Sequence, residues 1–184
     1  MRKNTRVVIC RQRPGINSIT CGIENPVSME CPFYELEGGE VATVFTPKLV
    51  HEGQLNIMHG GLTAAVLDEL MGRSVLAHYR SKEADDQINE GDEGFTSRCV
   101  TAEMTTKYKK PIIIGRKIFG YGRIIRSEGR RTYATSELLN EDGEIVALAE
   151  AVFVEVKVPK ENLTDQITDS EKHLELTEKD PKEL

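Results

Sequence analysis

Only one stretch of this chain has the pattern of a long helix, and everything after it has the pattern of strand. The stretch opens at His59-Gly60-Gly61 and runs to about Ser81. Between Gly60 and His78 its only polar or titratable side chains are Thr63, Asp68, Glu69, Arg73, Ser74 and His78. A helix that apolar is expected to be buried on most of its surface. Parallel strands each need a crossover helix between them. One helix cannot serve four or more strands that way. The remaining solution is an α+β architecture, a curved antiparallel sheet wrapped around one long central helix.

The strand pattern supports this. Phe33–Glu37 and Glu40–Thr46 flank Gly38-Gly39 and read as a β-hairpin, which Pro47 ends. Cys99–Lys109 alternates Val100, Ala102, Met104, Thr106 and Tyr108 against Thr101, Glu103, Thr105, Lys107 and Lys109, as in a half-buried strand. In that reading Thr101 points away from its own core. Lys117–Arg126, Arg131–Asn140 and Glu144–Val158 complete a meander, with turns at Gly129 and Asp142-Gly143. Gly120 and Gly122 inside a strand imply curvature or close backbone approach. Residues 81–98 form a long acidic loop, either a lid or a solvated insertion. The expected organisation is an irregular arm over 1–30, one domain over 31–158, and a charged, disordered or loosely helical tail over 159–184.

Composition serves mainly to exclude. The 184 residues carry a net charge of −6, which argues against a general nucleic-acid binder. No apolar run approaches the roughly 20 residues that span a bilayer, and no membrane partner is expected. The apolar core Val7–Cys10 is too short for a signal peptide, so the default address is cytoplasmic. Cys10, Cys21, Cys31 and Cys99 show no repeated Cys-x-x-Cys pair, and neither disulfides nor a metal site are expected.

The chemistry concentrates at the two ends of one short stretch. The first-turn N–H groups of a helix lack intrahelical acceptors, and its dipole favours negative charge there. Gly60-Gly61 would let a substrate carbonyl approach those groups, or would merely let the chain turn. Glu69 has Arg73 at i+4, a common stabilising pair. Asp68 has no basic residue three or four positions away, and its wheel neighbours are Ala64, Ala65, Met71, Gly72 and Val75. Desolvation should raise its pKa, the condition of a general base or nucleophile; otherwise it is a helix acid where the packing opens. His59 either contacts substrate or orients the turn. Gly61 and Asp68 are separated by about 10 Å of helix rise. One straight helix cannot present both to the same atom. If they cooperate, each must face the other end of a second copy, as in a two-fold homodimer.

His59-Gly60-Gly61 followed by Asp68, with Val100–Pro111 and Gly115 downstream, resembles the PaaI-like group of hotdog-fold acyl-CoA thioesterases. The likeness extends from Cys21-Gly22 to about Val156. It implies the hotdog fold, a homodimer or homotetramer, and hydrolysis of an acyl-CoA thioester. It further implies Asp68 as general base or nucleophile, the Gly60 or Gly61 N–H as carbonyl polariser, and Thr101 as a holder of the attacking water. Coenzyme A would be part of the substrate, with no separate cofactor. Lys107, Lys109, Lys110 and Arg116 are candidates for its phosphates, or are simply solvated strand edges. The chain departs from the pattern at Ser18, where relatives often carry Cys. It departs again at Gly53, where some carry an Asn that Gln54 or Asn56 would have to replace. A non-catalytic acyl-CoA-binding module is the alternative on the same fold, and a hotdog dehydratase a weaker third.

Overall fold

The computed structural model describes residues 6–85, 95–159 and 173–184. Strands β1 (Val8–Gln12), β2 (Phe33–Leu36) and β3 (Val41–Phe45) precede a small two-stranded hairpin, β4 (Glu52–Gln54) and β5 (Ile57–Met58). Helix α1 spans Gly60–Asp85. Four long strands follow: β6 (Phe95–Tyr108), β7 (Ile118–Glu128), β8 (Arg131–Leu139) and β9 (Ile145–Pro159), with a short β10 (His173–Leu174) near the end. The main sheet has the order β10-β1-β2-β3-β7-β8-β9-β6, and every neighbouring pair is antiparallel. This is the hotdog fold: a curved antiparallel sheet around one long helix.

The helix is held by its apolar face. Val66, Leu67, Leu70, Met71 and Val75 are fully buried and pack in one core with Phe33, Val41, Ile118, Leu138 and Phe153. Burying a side chain of this kind contributes about 1.5–3 kcal/mol. The two β7 glycines set how closely helix and sheet approach. A Cβ on Gly122 would lie 2.5 Å from the Leu70 carbonyl oxygen, and one on Gly120 2.7 Å from Leu70 Cδ1. Close backbone approach, rather than turn geometry, is therefore what these glycines permit. The Ser136 hydroxyl donates to the Leu67 carbonyl at 2.8 Å, joining β8 to the helix.

Four sequence expectations need correction. First, part of the arm at 1–30 is sheet. β1 pairs with β2 through Val8↔Leu36 and Arg11↔Tyr34, because Val8 and Gln12 find buried places on that edge. Second, residues 173–184 are docked. β10 pairs with β1, Leu184 and Arg6 exchange backbone hydrogen bonds, and Asp180 is buried. What a charge-rich composition could not show is that one aspartate has a built receptacle. Asp180 accepts from Tyr34 Oη at 3.1 Å and from the N–H and hydroxyl of Thr177, both at 2.9 Å, with Arg11 at 3.5 Å. Third, the loop expected over 81–98 is shorter, since the helix continues to Asp85 and β6 begins at Phe95. Residues 86–94 lie outside the described residues, as do residues 160–172 of the expected tail.

The fourth correction concerns β6. Its pairing with β9 slips between Thr101 and Glu103, a β-bulge at Ala102. A bulge inserts one residue and reverses which face the following side chains occupy. Cys99 packs on the core before the bulge and Met104 after it. Thr101 thus shares the helix-facing side with Met104, Thr106 and Tyr108. The uninterrupted alternation read from the sequence would turn it away.

Candidate active site

The helix N-terminus is shaped by its own histidine. The His59 carbonyl accepts the first helical hydrogen bond from Thr63 N–H at 3.0 Å, and His59 Nδ1 accepts from Gly61 N–H at 3.0 Å. His59 is therefore the N-cap, a role more often filled by Ser, Thr, Asp or Asn. This places its ring in the orienting arrangement. It also commits the Gly61 N–H, one of the two expected carbonyl polarisers, to the cap. Among the described residues the Gly60 N–H has no acceptor.

The segment before the helix is fixed on both sides. His59 N–H donates to the His51 carbonyl at 2.9 Å, and His51 is buried with its Nδ1 accepting from Lys48 N–H at 3.0 Å. Met58 N–H donates to the Ile112 carbonyl at 2.9 Å, and Ile114 N–H to that of Asn56 at 3.1 Å. Gly53 lies against the histidine: a Cβ there would sit 2.7 Å from His59 Cα. No side chain fits at that position, which accounts physically for the departure at Gly53. Gln54 lines the adjoining cleft, whereas Asn56 is turned into a left-handed conformation at φ 62.

That cleft, of about 560 Å³, is lined by Gly53, Gln54, Met58, His59, Gly60 and Thr63 from one side. Tyr108, Lys109, Lys110, Pro111 and Ile112 line the other. Its lining combines apolar Met58, Pro111 and Ile112 with two lysines and the Gly60 peptide. Tyr108 Oη donates to the Gly60 carbonyl at 2.9 Å, fixing the end of β6 to the start of the helix. Sequence reasoning assigned Tyr108 no role. Its alternation with Met104 was the available signal, since both occupy the helix-facing side.

The second candidate centre is Asp68. Its Oδ1 accepts from the Thr101 hydroxyl at 2.8 Å, so it has a partner, though an uncharged one from a different element. Burial pushes its carboxyl above the ordinary value of 3.8, the Thr101 hydroxyl works the other way, and the neighbouring Glu69 charge adds to the rise. Asp68, Ala64 and Ala65 are only half-buried, forming a strip of helix that the sheet does not fully cover. Glu69 is bound to Arg73 Nε at 2.8 Å, as its spacing predicts.

Asp68 is absent from the cleft lining. Gly60 and Asp68 are about 12 Å apart along an unbroken helix, from a rise of about 1.5 Å per residue. The structure brings Asp68 and Thr101 together, and separately Gly60, His59, Lys109 and Lys110. It does not bring Lys107 or Arg116 to the cleft. Lys107 falls on the far side of β6 from Tyr108, and Arg116 sits beyond Gly115 beside Glu141 at 3.6 Å. Lys110 is partly neutralised by Glu144 at 2.6 Å.

Comparison with known proteins agrees with this architecture. The model of the thioesterase superfamily matches residues 55–147, from the loop before the helix into the start of β9. The chain belongs to the thioesterase superfamily. An uncharacterised protein of Schizosaccharomyces pombe, C26H8.11c, is 28% identical over 131 residues, covering 68% of this chain and 66% of that protein. The chain thus spans just under two thirds of that relative's length. The PaaI protein from the phenylacetic acid degradation operon of E. coli superposes with a TM-score of 0.56 at 12% identity, over 70% of this chain and 80% of PaaI. BH2602 from Bacillus halodurans, solved with CoA, gives 0.56 at 24% identity, over 72% of this chain and 78% of its own. At these identities the structural likenesses speak for the fold alone. No helix among the described residues is long and apolar enough to cross a membrane.

Proposed function

We propose that the chain hydrolyses an acyl-CoA thioester to a free acid and CoA, at composite sites between two antiparallel copies. The observation that carries this reading is the Asp68–Thr101 pair on a helix strip left half open by its own sheet. Family membership and the CoA found with BH2602 support the substrate class.

In each site the thioester carbonyl lies against the Gly60 N–H of one copy. The helix dipole and an uncommitted donor stabilise the oxyanion formed there. Asp68 of the other copy takes a proton from water held by the Thr101 hydroxyl, and that water attacks the carbonyl carbon. Collapse of the tetrahedral species breaks the C–S bond, and the thiolate leaves as CoA. Raising Asp68 above an ordinary carboxylate makes it a stronger base toward the attacking water. Lys109 and Lys110 in the cleft lining suit the phosphates of CoA. A cytoplasmic address, as expected from the sequence, accords with an intracellular thioester substrate.

The test is thiol release from short, medium, long and aryl acyl-CoAs by the wild-type chain and by Asp68→Asn. Asn keeps the shape and still accepts from Thr101, so the variant should fold, bind acyl-CoA and turn over at least about 10²-fold more slowly. Full activity in Asp68→Asn would overturn the mechanism. Tight binding of acyl-CoA without turnover in the wild type would instead favour the non-catalytic binding module.

A further inference from the structure

One peptide at the start of α1 carries a side-chain hydrogen bond at each end. The Tyr108 hydroxyl donates to the Gly60 carbonyl at 2.9 Å. The N–H of that same peptide, on Gly61, donates to His59 Nδ1 at 3.0 Å. The Tyr108 hydroxyl, the Gly60–Gly61 peptide and the imidazole thus form one continuous chain of donors and acceptors. A peptide whose carbonyl accepts a hydrogen bond becomes a stronger donor at its N–H, because successive bonds polarise one another.

Both ends of this chain are held in place. Tyr108 closes β6 against Ala147 of β9, and the next residue's N–H donates to the Val146 carbonyl at 2.8 Å. Tyr108 is 57% exposed and lines the cleft together with His59 and Gly60. The imidazole lies between two glycines. A Cβ on Gly53 would sit 3.0 Å from its Cδ2, and one on Gly61 would sit 3.0 Å from its Nδ1 and 3.1 Å from its Cε1. A close-packed ring of this kind has little room to turn. A ring nitrogen that accepts carries no proton, so the neutral imidazole has its hydrogen on Nε2. Among the described residues Nε2 has no partner.

We infer that Tyr108 is a positioning residue, which acts through the Gly60–Gly61 peptide to fix His59 as the Nε2–H tautomer and so supplies a set donor to a substrate oxygen in the cleft. In the other tautomer Nδ1–H would meet the Gly61 N–H, two donors at a separation of 3.0 Å. The stronger the Gly61 donor, the more that arrangement is disfavoured. A donor fixed in advance acts most where negative charge develops on the oxygen, so loosening it lowers kcat more than it raises KM. The kinetic part of this inference rests on the thioesterase reading, whereas the tautomer does not.

The experiment compares the full wild-type chain with Tyr108→Phe, which keeps the ring and removes one oxygen. In chains carrying isotope-labelled histidine and glycine, long-range proton–nitrogen correlation spectra in mildly alkaline buffer report which nitrogen of His59 carries the proton. The signals lost in His59→Gln identify that ring. The wild type should hold its proton on Nε2. In Tyr108→Phe the second tautomer should appear, and the Gly61 amide proton should shift in the direction of a weaker hydrogen bond. For thiol release, kcat should fall about two- to tenfold, the contribution of one hydrogen bond, with KM nearly unchanged. Thermal melting controls for folding. A bond that only tied β6 to the helix would lower the melting temperature and leave the tautomer and kcat as they were, and that result would overturn the inference. So would a proton on Nδ1 in the wild type, or an unchanged kcat beside a shifted tautomer. A tautomer change in Tyr108→Phe with no thiol release from either chain would refute the thioesterase reading and leave Tyr108 as the residue that fixes the ring.

Discussion

Gly60→Pro offers a sharp test of how the carbonyl is polarised, because it removes one N–H and little else. Gly60 is the first residue of α1, and proline is favoured at that position because its N–H has no helical acceptor. The residue before a proline must be extended, which an N-cap such as His59 normally is. The glycine does not have positive φ, and a Cβ there would meet only the Tyr108 ring at 3.7 Å, an ordinary contact. The fold should therefore persist. Losing one oxyanion donor costs about 10²–10³ in turnover, or about 2.7–4 kcal/mol in the barrier. Thiol release measures the loss, with thermal melting as the control for folding. The composite geometry adds a second readout. When inactive Gly60→Pro chains are unfolded and refolded with inactive Asp68→Asn chains, half the dimers are mixed. Each mixed dimer has one site with both groups intact, so activity should recover to about a quarter of wild type. Wild-type turnover in Gly60→Pro would place the donor elsewhere. No recovery on mixing would show that each site draws on one chain, against the 12 Å argument.

Further outcomes follow from individual contacts. Thr101→Val removes the hydroxyl that works against the raised pKa of Asp68, so the acid limb of kcat/KM should move to higher pH. A hydrogen bond to a charged group contributes about 1.5–3 kcal/mol when buried and less when half exposed, so the change should be modest and toward tighter proton binding. An unmoved limb would separate Thr101 from the base. Asp180→Ala should destabilise the chain by about 1–3 kcal/mol at neutral pH in urea unfolding. Burial opposes the ionised Asp180, but the bonds from Thr177 and Tyr34 and the charge of Arg11 together outweigh it and hold the carboxyl below 3.8. The folded value is depressed, so the stabilisation is present above 3.8 and lost as pH falls through the folded value. The wild type and Asp180→Ala should therefore converge in strong acid. Gly122→Ala forces a methyl group 2.5 Å from the Leu70 carbonyl oxygen, a backbone atom that cannot move alone, and should cost about 1–3 kcal/mol in the same assay.

Periodicity alone was enough to settle the architecture. One helix with an apolar run too broad for a surface, followed by strands with glycine-marked turns, admits little besides a sheet wrapped on a helix. The Glu69–Arg73 pair and the glycine pair of β7 were equally legible, because both follow from local spacing. The separation of Gly60 from Asp68 is also a property of the helix alone. What the tertiary structure decided are the partners that come from far along the chain. A one-residue bulge at Ala102 turns Thr101 onto Asp68, and no period-two reading registers an inserted residue. The histidine cap withdraws the Gly61 N–H and leaves Gly60's, a choice between neighbours that depends on one ring's rotamer. Asp180 holds the end of the chain to β1 and β2 through Tyr34 and Arg11, across 146 residues in the case of Tyr34. Arg73 meets Cys21 because the arm folds back over the helix. Local spacing sets which face a residue shares with its neighbours. Only the packed chain sets which distant groups that face meets, and the proton affinities of Asp68 and Asp180 depend on those meetings.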